Sequence, residues 1–218
     1  MQNLIINQNN PKLQVLETTS QALLNEEVII HPTETVYGFA CIFQSINAVK
    51  KILDIKNRSY NHPMSIMVNG IDQILEISGL KATAWLEEIL IRLLPAPLTI
   101  LLPRKNNLHL DYWDQFPMLG FRFPDHTLCQ KLVEITGFPL ITTSANFKGE
   151  PPAFTAQDLP RDLVQQVSII LDGGPTREKK PSTILKVNLK TRDIKLVRKG
   201  ALSWHEIEKR IADPASKV

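Results

Sequence analysis

Cysteine is scarce: Cys41 and Cys129 are the only two, far apart in the chain. They offer no disulfide framework and no metal-ligand spacing, so two reduced, mostly buried thiols are expected. The five histidines (31, 62, 109, 126 and 205) include no pair at metal spacing. No long apolar run is present either. The longest, residues 89–103, is interrupted by Arg92, Pro95 and Pro97 and is too short to span a bilayer. The start of the chain, Met1 to Asn10, lacks a basic segment followed by an apolar one, and its Asn/Gln content reads as a frayed arm. With reduced thiols and no secretory signal, a cytoplasmic protein is expected. Dense runs of one charge are absent too. The net charge of +3 is mild, and Lys50-Lys51, Arg104-Lys105 and Lys179-Lys180 are pairs rather than tracts. Contact with phosphates or RNA is permitted by this balance but not demanded.

Several catalytic signatures are missing as well. There is no G-x-x-x-x-G-K-[ST], no G-x-G-x-x-G and no G-x-S-x-G. A P-loop, a dinucleotide fingerprint and a hydrolase nucleophile elbow are thereby set aside.

What is present is a hydrophobic content of 43% in 218 residues, enough for a substantial core. No repeat or linker divides the chain, so a single domain over 1–218 with frayed ends is expected. Apolar runs predict strands at Val28–Ile30, Met64–Val68, Leu98–Leu102, Met118–Phe123, Pro139–Thr143, Val167–Leu171, Ser182–Val187 and Ile194–Val197. Helices are predicted at Ser20–Glu27, Ile46–Ile55 behind Ser45, Ala82–Leu94, from Asp125 as cap to about Ile135, within Thr155–Val164, and from Trp204 behind Ser203. The stretch Arg104–Pro117 reads as an excursion or mobile flap. Strands and helices mix without strict alternation, which predicts an α/β fold: an open twisted mixed β-sheet with flanking helices.

Short polar motifs abut these apolar runs. Lys56 and Arg58, near a helix end, are suited to clamp a phosphate chain; the alternative is a basic helix C-terminus stabilised by the dipole. Arg122, between Phe121 and Phe123, faces away from both phenylalanines and needs an anionic partner. That partner is a ligand carboxylate or phosphate, or an internal acid. Thr142, Thr143, Ser144 and Asn146 follow a strand and either bind a small polar ligand or form a turn of their own. Ser182 and Thr183 carry the same two possibilities. In an extended Thr33-Glu34-Thr35, the threonines would share one face and Glu34 the other.

The strings Pro32-Thr-Glu-Thr-Val-Tyr-Gly38, Lys56-Asn-Arg58, Pro95-Ala-Pro-Leu-Thr99, Arg122-Phe-Pro124, Ser144-Ala-Asn146, Leu171-Asp-Gly-Gly174, Ser182-Thr183 and Val197-Arg198 occur in one order. In that order they resemble the YrdC-like family, the threonylcarbamoyl-AMP synthases that serve tRNA modification. The resemblance covers a core of about 16–203 and implies the short form, without the extra C-terminal domain of longer members. It implies a basic concave sheet face and a nucleotidyltransferase. The reaction implied joins L-threonine, bicarbonate and ATP into threonylcarbamoyl-adenylate, with release of pyrophosphate. Magnesium would be carried with ATP, and no resident metal is implied. Transferase proteins of the same pathway would then move the threonylcarbamoyl group to N6 of a tRNA adenosine.

On this likeness the catalytic signature falls on Lys56, Arg58, Ser144 and Asn146. Threonine binding falls on Thr35, Arg122, Thr142 and Ser182. ATP binding falls on Lys56, Arg58, His62, Ser144, Asn146 and Arg198. Three positions depart from the family's usual pattern: Ala96 in place of glycine, His62 in place of Asn or Lys, and Met67 where some members have histidine near threonine. The family also contains relatives for which double-stranded RNA binding, with weak or no synthase activity, is the alternative reading, so tRNA or duplex RNA contact is a second expectation.

Overall fold

A computed structural model describes residues 1–105, 109 and 111–212. Ten strands form one sheet: β1 (Gln2–Ile5), β2 (Ile29–His31), β3 (Gly38–Ile42), β4 (Ser65–Met67), β5 (Leu98–Pro103), β6 (Met118–Arg122), β7 (Leu140–Ser144), β8 (Ile169–Asp172), β9 (Thr183–Asn188) and β10 (Asp193–Arg198). Their order across the sheet is β1-β8-β2-β3-β7-β4-β6-β5-β9-β10. Parallel and antiparallel neighbours are interspersed, as the mixed pattern predicts. Eight helices accompany it: α1 (Leu13–Leu24), α2 (Ile46–Ile55), α3 (Ile71–Ser78), α4 (Ala84–Leu93), α5 (Asp111–Asp114), α6 (Thr127–Thr136), α7 (Arg161–Val164) and α8 (Trp204–Ala212).

Side chains alternate between the two faces of each strand, and this alternation builds two cores. Ile30, Phe39, Cys41, Ile66, Ile100, Phe121, Ile141 and Leu185 point to one face, where α2, α3, α4, α5 and α8 cover them. Ile29, Ala40, Ile42, Met67, Leu140 and Ile169 point to the other, where only α1 and α6 pack. On that second face β4, β6, β5 and β9 therefore lie largely uncovered. Their residues there are mostly small or polar, Ser65, Thr99, Gly120 and Lys186, with Leu101 and Ile184 among them. The open half-face beside this buried sheet centre is where the site lies.

Several sequence expectations are corrected. The arm Met1–Asn10 is not frayed, since β1 pairs in parallel with β8, Gln2 against Ile169. The first helix begins at Leu13 rather than Ser20 and has no side-chain cap. Helix α6 is capped by His126, whose Nδ1 accepts from the Cys129 amide at 3.4 Å; Asp125 instead pairs with Arg177 at 3.0 Å. Strand β3 and helix α3 were not expected at all. The Thr155–Val164 segment resolves into a 3₁₀ turn at Ala156–Asp158 and α7. The described part of Arg104–Pro117 is anchored, not a flap. Tyr112 and Trp113 are fully buried, Arg104 pairs with Asp114 at 2.5 Å, and the Trp113 indole donates to the Phe43 carbonyl at 3.2 Å. Residues 106–108 and 110, where a lid would have its tip, lie outside the described residues. Among the described residues no helix is long and apolar enough to cross a membrane.

His31, at the end of β2, is fully buried, with Nδ1 2.9 Å from the Pro32 carbonyl. Burial, ahead of the nearby Arg122 charge, pulls its pKa down to about 4, and His126 is pulled down by burial to about 3. The unfolded chain binds these protons near the ordinary histidine value and the folded chain does not. Stability is therefore expected to fall as pH drops from about 6.5 to about 4, by about 3 kcal/mol from His31 alone. Urea midpoints across that window should show the slope, and His31→Asn should reduce it, leaving the share of His126. An unchanged slope in the variant would contradict the assignment.

Candidate active site

The open half-face holds a cavity of about 420 Å³. Its floor follows from strand register: Thr142 of β7 lies beside Ser65 of β4, which lies beside Gly120 of β6. A Cβ on Gly120 would stand 3.2 Å from Leu101 Cδ2 and 3.3 Å from Thr99 Cγ2, so the floor is already filled to contact. At the next strand edge Gly38 faces Ser144, and a Cβ there would meet the Thr143 carbonyl at 3.2 Å. The close approach at Gly38 is thus to strand β7.

The walls carry three arginines, Arg58, Arg122 and Arg198, together with His62; among the described residues no Asp or Glu side chain lines the cavity. Arg58 has a local cause. Helix α2 ends at Lys56, Asn57 adopts φ 47°, and the amides of Asn57 and Arg58 donate to the carbonyls of Asp54 and Leu53 at 3.0 and 2.9 Å. This is a Schellman end with asparagine in the left-handed position. It turns Arg58 into the cavity and Lys56 away from it. Among the described residues no side chain or carbonyl partners the Arg58 guanidinium, and its Nε is buried without a partner.

Lys56 is fully buried. Its ammonium donates to the Ser144 carbonyl, to the Asn146 carbonyl at 2.6 Å and to Asn146 Oδ1 at 3.3 Å. Burial, then the Arg58 charge, lowers its pKa to about 7. Lys56 is therefore not on the cavity wall, where a phosphate contact would put it. It holds the Ser144–Asn146 turn from beneath. That turn is closed by Ser144 Oγ on Asn146 Oδ1 at 2.5 Å and by the Asn146 amide on the Glu150 carbonyl at 2.6 Å. Ser144 and Asn146 both line the cavity, so the turn and the ligand-facing wall are the same element.

Arg122 has the internal acid that the sequence left open. Its Nη2 donates to Glu34 Oε1 at 2.5 Å and to Thr35 Oγ1 at 3.2 Å. Glu34 is fully buried, and burial raises its carboxyl above the usual range despite Arg122. The Thr33–Thr35 stretch is not extended: the Thr33 hydroxyl accepts the Thr35 and Val36 amides, each at 3.1 Å, and donates to the Val36 carbonyl at 2.8 Å. This turn brings Glu34 and Thr35 onto the same guanidinium. Thr35 lies behind Arg122, and Thr33 rather than Thr35 reaches the cavity wall.

Thr142 and Ser182 line the cavity as expected. Ser182 Oγ lies 2.8 Å from Thr99 Oγ1, and Arg198 Nη2 donates to the Ser182 carbonyl at 2.8 Å and to its Oγ at 3.2 Å. His62 is on the wall, and its carbonyl accepts from the Tyr112 hydroxyl, so α5 braces the wall. Burial lowers the His62 pKa, helped by the charges of Arg58, Lys56 and Lys148; burial and Arg122 lower that of Arg198. The cations feel one another, and of the three arginines Arg122 alone has an acid beside it among the described residues, Glu34 behind the wall. Ala96 needs no positive φ, so the missing glycine costs the backbone nothing there. Met67 is packed in the core under α6, off the cavity.

Sequence reasoning missed Gly200. A Cβ on it would stand 2.4 Å from the Pro181 carbonyl oxygen and from the Ser182 carbonyl carbon, both backbone atoms. Gly200→Ala must push the Ser182 segment out of place. A loss of about 10²-fold in activity is expected from such a displacement, with about 1–3 kcal/mol of stability. Steady-state assays beside thermal melts check this, and wild-type activity would contradict it.

The chain is similar to several known proteins. The Sua5_yciO_yrdC family model, described as telomere recombination, matches residues 21–200. A Bacillus subtilis threonylcarbamoyl-AMP synthase is 34% identical over 190 residues, 86% of this chain and 54% of the relative. A Vibrio campbellii threonylcarbamoyl-AMP synthase is 31% identical over 171 residues, 77% of this chain and 91% of the relative. The crystal structure of Pyrococcus abyssi Sua5 complexed with L-threonine superposes with a TM-score of 0.86 at 28% identity, covering 97% of this chain and 61% of that one. The chain thus spans about half the length of some curated relatives and most of others. With the family model matched over most of its length, the chain belongs to the Sua5/YciO/YrdC family.

Proposed function

We propose that this protein is a threonylcarbamoyl-AMP synthase, forming L-threonylcarbamoyl-adenylate and pyrophosphate from L-threonine, bicarbonate and MgATP. The observation that carries the reading is one cavity with three arginines, no acid on its wall among the described residues, and a floor of hydroxyls. Like charges gathered on one wall cost stability even with Arg122 paired to Glu34, and an anionic ligand offsets that cost. Relatives bearing the synthase name over most of this chain support the same reading.

The chemistry needs positioning more than covalent help. The threonine amine attacks the carbon of bicarbonate-derived CO2 and loses a proton, giving a carbamate. A carbamate oxygen then attacks the α-phosphorus of ATP, and the bond to the leaving pyrophosphate breaks. Arg122, held by Glu34 and Thr35, would bind the threonine carboxylate, with Thr142 and Ser182 offering hydroxyls to its amine and hydroxyl. Arg58 and Arg198 would neutralise the phosphate chain, with Ser144, Asn146 and His62 beside it. Lys56 would act by holding the Ser144–Asn146 turn. No group of three or more His, Cys, Asp or Glu among the described residues converges as a metal site; magnesium is read as part of the MgATP substrate. The proposed compartment is the cytoplasm and the proposed recipients are threonylcarbamoyl transferases.

A second observation favours RNA contact on the same face. Lys186 lies beside Leu101 in the sheet register and directly opposite Lys195 of β10, both exposed. Like charges directly opposite are unfavourable in a sheet, and backbone phosphates would relieve them. Salt-dependent RNA binding that weakens in Lys186→Gln with Lys195→Gln would support this.

The synthase reading is tested with carbon-labelled bicarbonate. Mass spectrometry of the reaction should find the label in an adenylate carrying threonine. Label that stays in bicarbonate while ATP is consumed would overturn the reading.

A further inference from the structure

The cavity's arginines are not equivalent. Arg122 is paired with a buried carboxylate, Glu34, at 2.5 Å. Arg58 has no partner for its guanidinium among the described residues, and Arg198 is bonded only to the neutral Ser182. The two substrates proposed for the cavity differ in the same sense. An amino acid brings one carboxylate charge, whereas a nucleoside triphosphate brings several charges on its phosphates.

We propose that Glu34 sorts these two anions. By compensating Arg122, it makes that guanidinium a site for a single carboxylate and leaves the multiply charged phosphate chain to the uncompensated Arg58 and Arg198. The inference rests on the synthase reading and deepens it. Glu34 does not line the cavity. It acts through Arg122, as a positioning residue that also sets that guanidinium's effective charge. The Arg122 Nη2 is taken by Glu34 and Thr35, while its Nε is buried with no partner. The remaining donors therefore present a fixed, weakened cation. A guanidinium freed of Glu34 would attract phosphate as strongly as Arg58 does. Two anions would then compete for one place.

The test is calorimetric titration of L-threonine into the full chain, at a series of inorganic pyrophosphate concentrations without magnesium. In the wild type the threonine Kd should be independent of pyrophosphate. In Glu34→Gln, which removes the charge but keeps the shape, pyrophosphate should compete, raising the apparent threonine Kd by about tenfold, as a unit charge a few ångströms away allows. Glu34→Asp, which keeps the charge, should behave as wild type. A structural role alone would weaken threonine binding without creating competition, so Glu34→Gln without competition overturns the proposal. A second pair of variants holds if Glu34→Gln does not fold. Pyrophosphate affinity should drop about tenfold in Arg58→Gln and change less than about twofold in Arg122→Gln; an equal loss in both overturns the proposal. Wild-type protein that binds pyrophosphate but no threonine overturns the synthase reading as well, whereas threonine binding without the Glu34 effect overturns this inference alone.

Discussion

Arg122→Ala is expected to raise the threonine KM by about 10²- to 10³-fold, because it removes a charge-assisted, pre-oriented partner of the substrate carboxylate. The ATP KM should change little, since Arg58 and Arg198 are untouched. The same substitution has a second, separable consequence. Glu34 is fully buried and loses its one ion-pair partner among the described residues. Its carboxyl is already raised by burial, and Arg122 is the main influence lowering it. In the variant it rises further and is neutralised by a proton. A carboxyl whose folded pKa exceeds its unfolded one contributes stability that is lost as pH rises through the folded value. The variant should therefore melt progressively lower, relative to wild type, as pH rises from about 4.5 upward. Steady-state kinetics and melts on one preparation check both effects. An unchanged threonine KM would remove Arg122 from the threonine site.

Arg58→Ala should give the complementary result. Among the described residues the guanidinium has no partner to lose, so the melting temperature should stay within the range of a neutral surface change, about 0.5 kcal/mol. ATP use should fall by about 10- to 10²-fold, the worth of hydrogen bonds to a charged group. Threonine binding measured without ATP should be unaffected. Loss of stability without loss of ATP use would invert the assignment, making Arg58 a structural residue.

The parts of the fold legible in the sequence are those with local causes. Ser45 before an apolar face at helical spacing marks α2, and the Ser45 side chain accepts the Ala48 amide at 3.2 Å. Gly137, at φ 71°, ends α6 where expected. The parts that were hidden depend on distant contacts. Strand β1 has no alternation of its own and forms only because β8, more than 160 residues away, offers an edge. Strand β3 is a buried run of five residues, Gly38–Ile42, whose length and burial give no period to read. Helix α3 starts behind Gly70 without a capping side chain.

The site divides in the same way. The polar motifs that abut strand ends do gather on one cavity: Arg58, His62, Arg122, Thr142, Ser144, Asn146, Ser182 and Arg198 all line it. Spacing alone did not separate Lys56 from Arg58. The left-handed Asn57 between them sends one side chain into the protein and the other into the cavity. The family resemblance assigns Thr35 to threonine, and the turn closed by Thr33 puts it behind Arg122, off the cavity wall. Gly200 carried no signal, because its neighbours Pro181 and Ser182 approach only in the folded chain.

Pyrophosphate release from MgATP by the purified chain, with L-threonine and bicarbonate each present or omitted, tests the central claim most directly. The account predicts release that requires both, and that falls sharply when valine, which lacks the hydroxyl, replaces threonine, because a site built to hydrogen-bond a hydroxyl rejects its absence. Release that is indifferent to threonine, or none at all from folded protein, would contradict it.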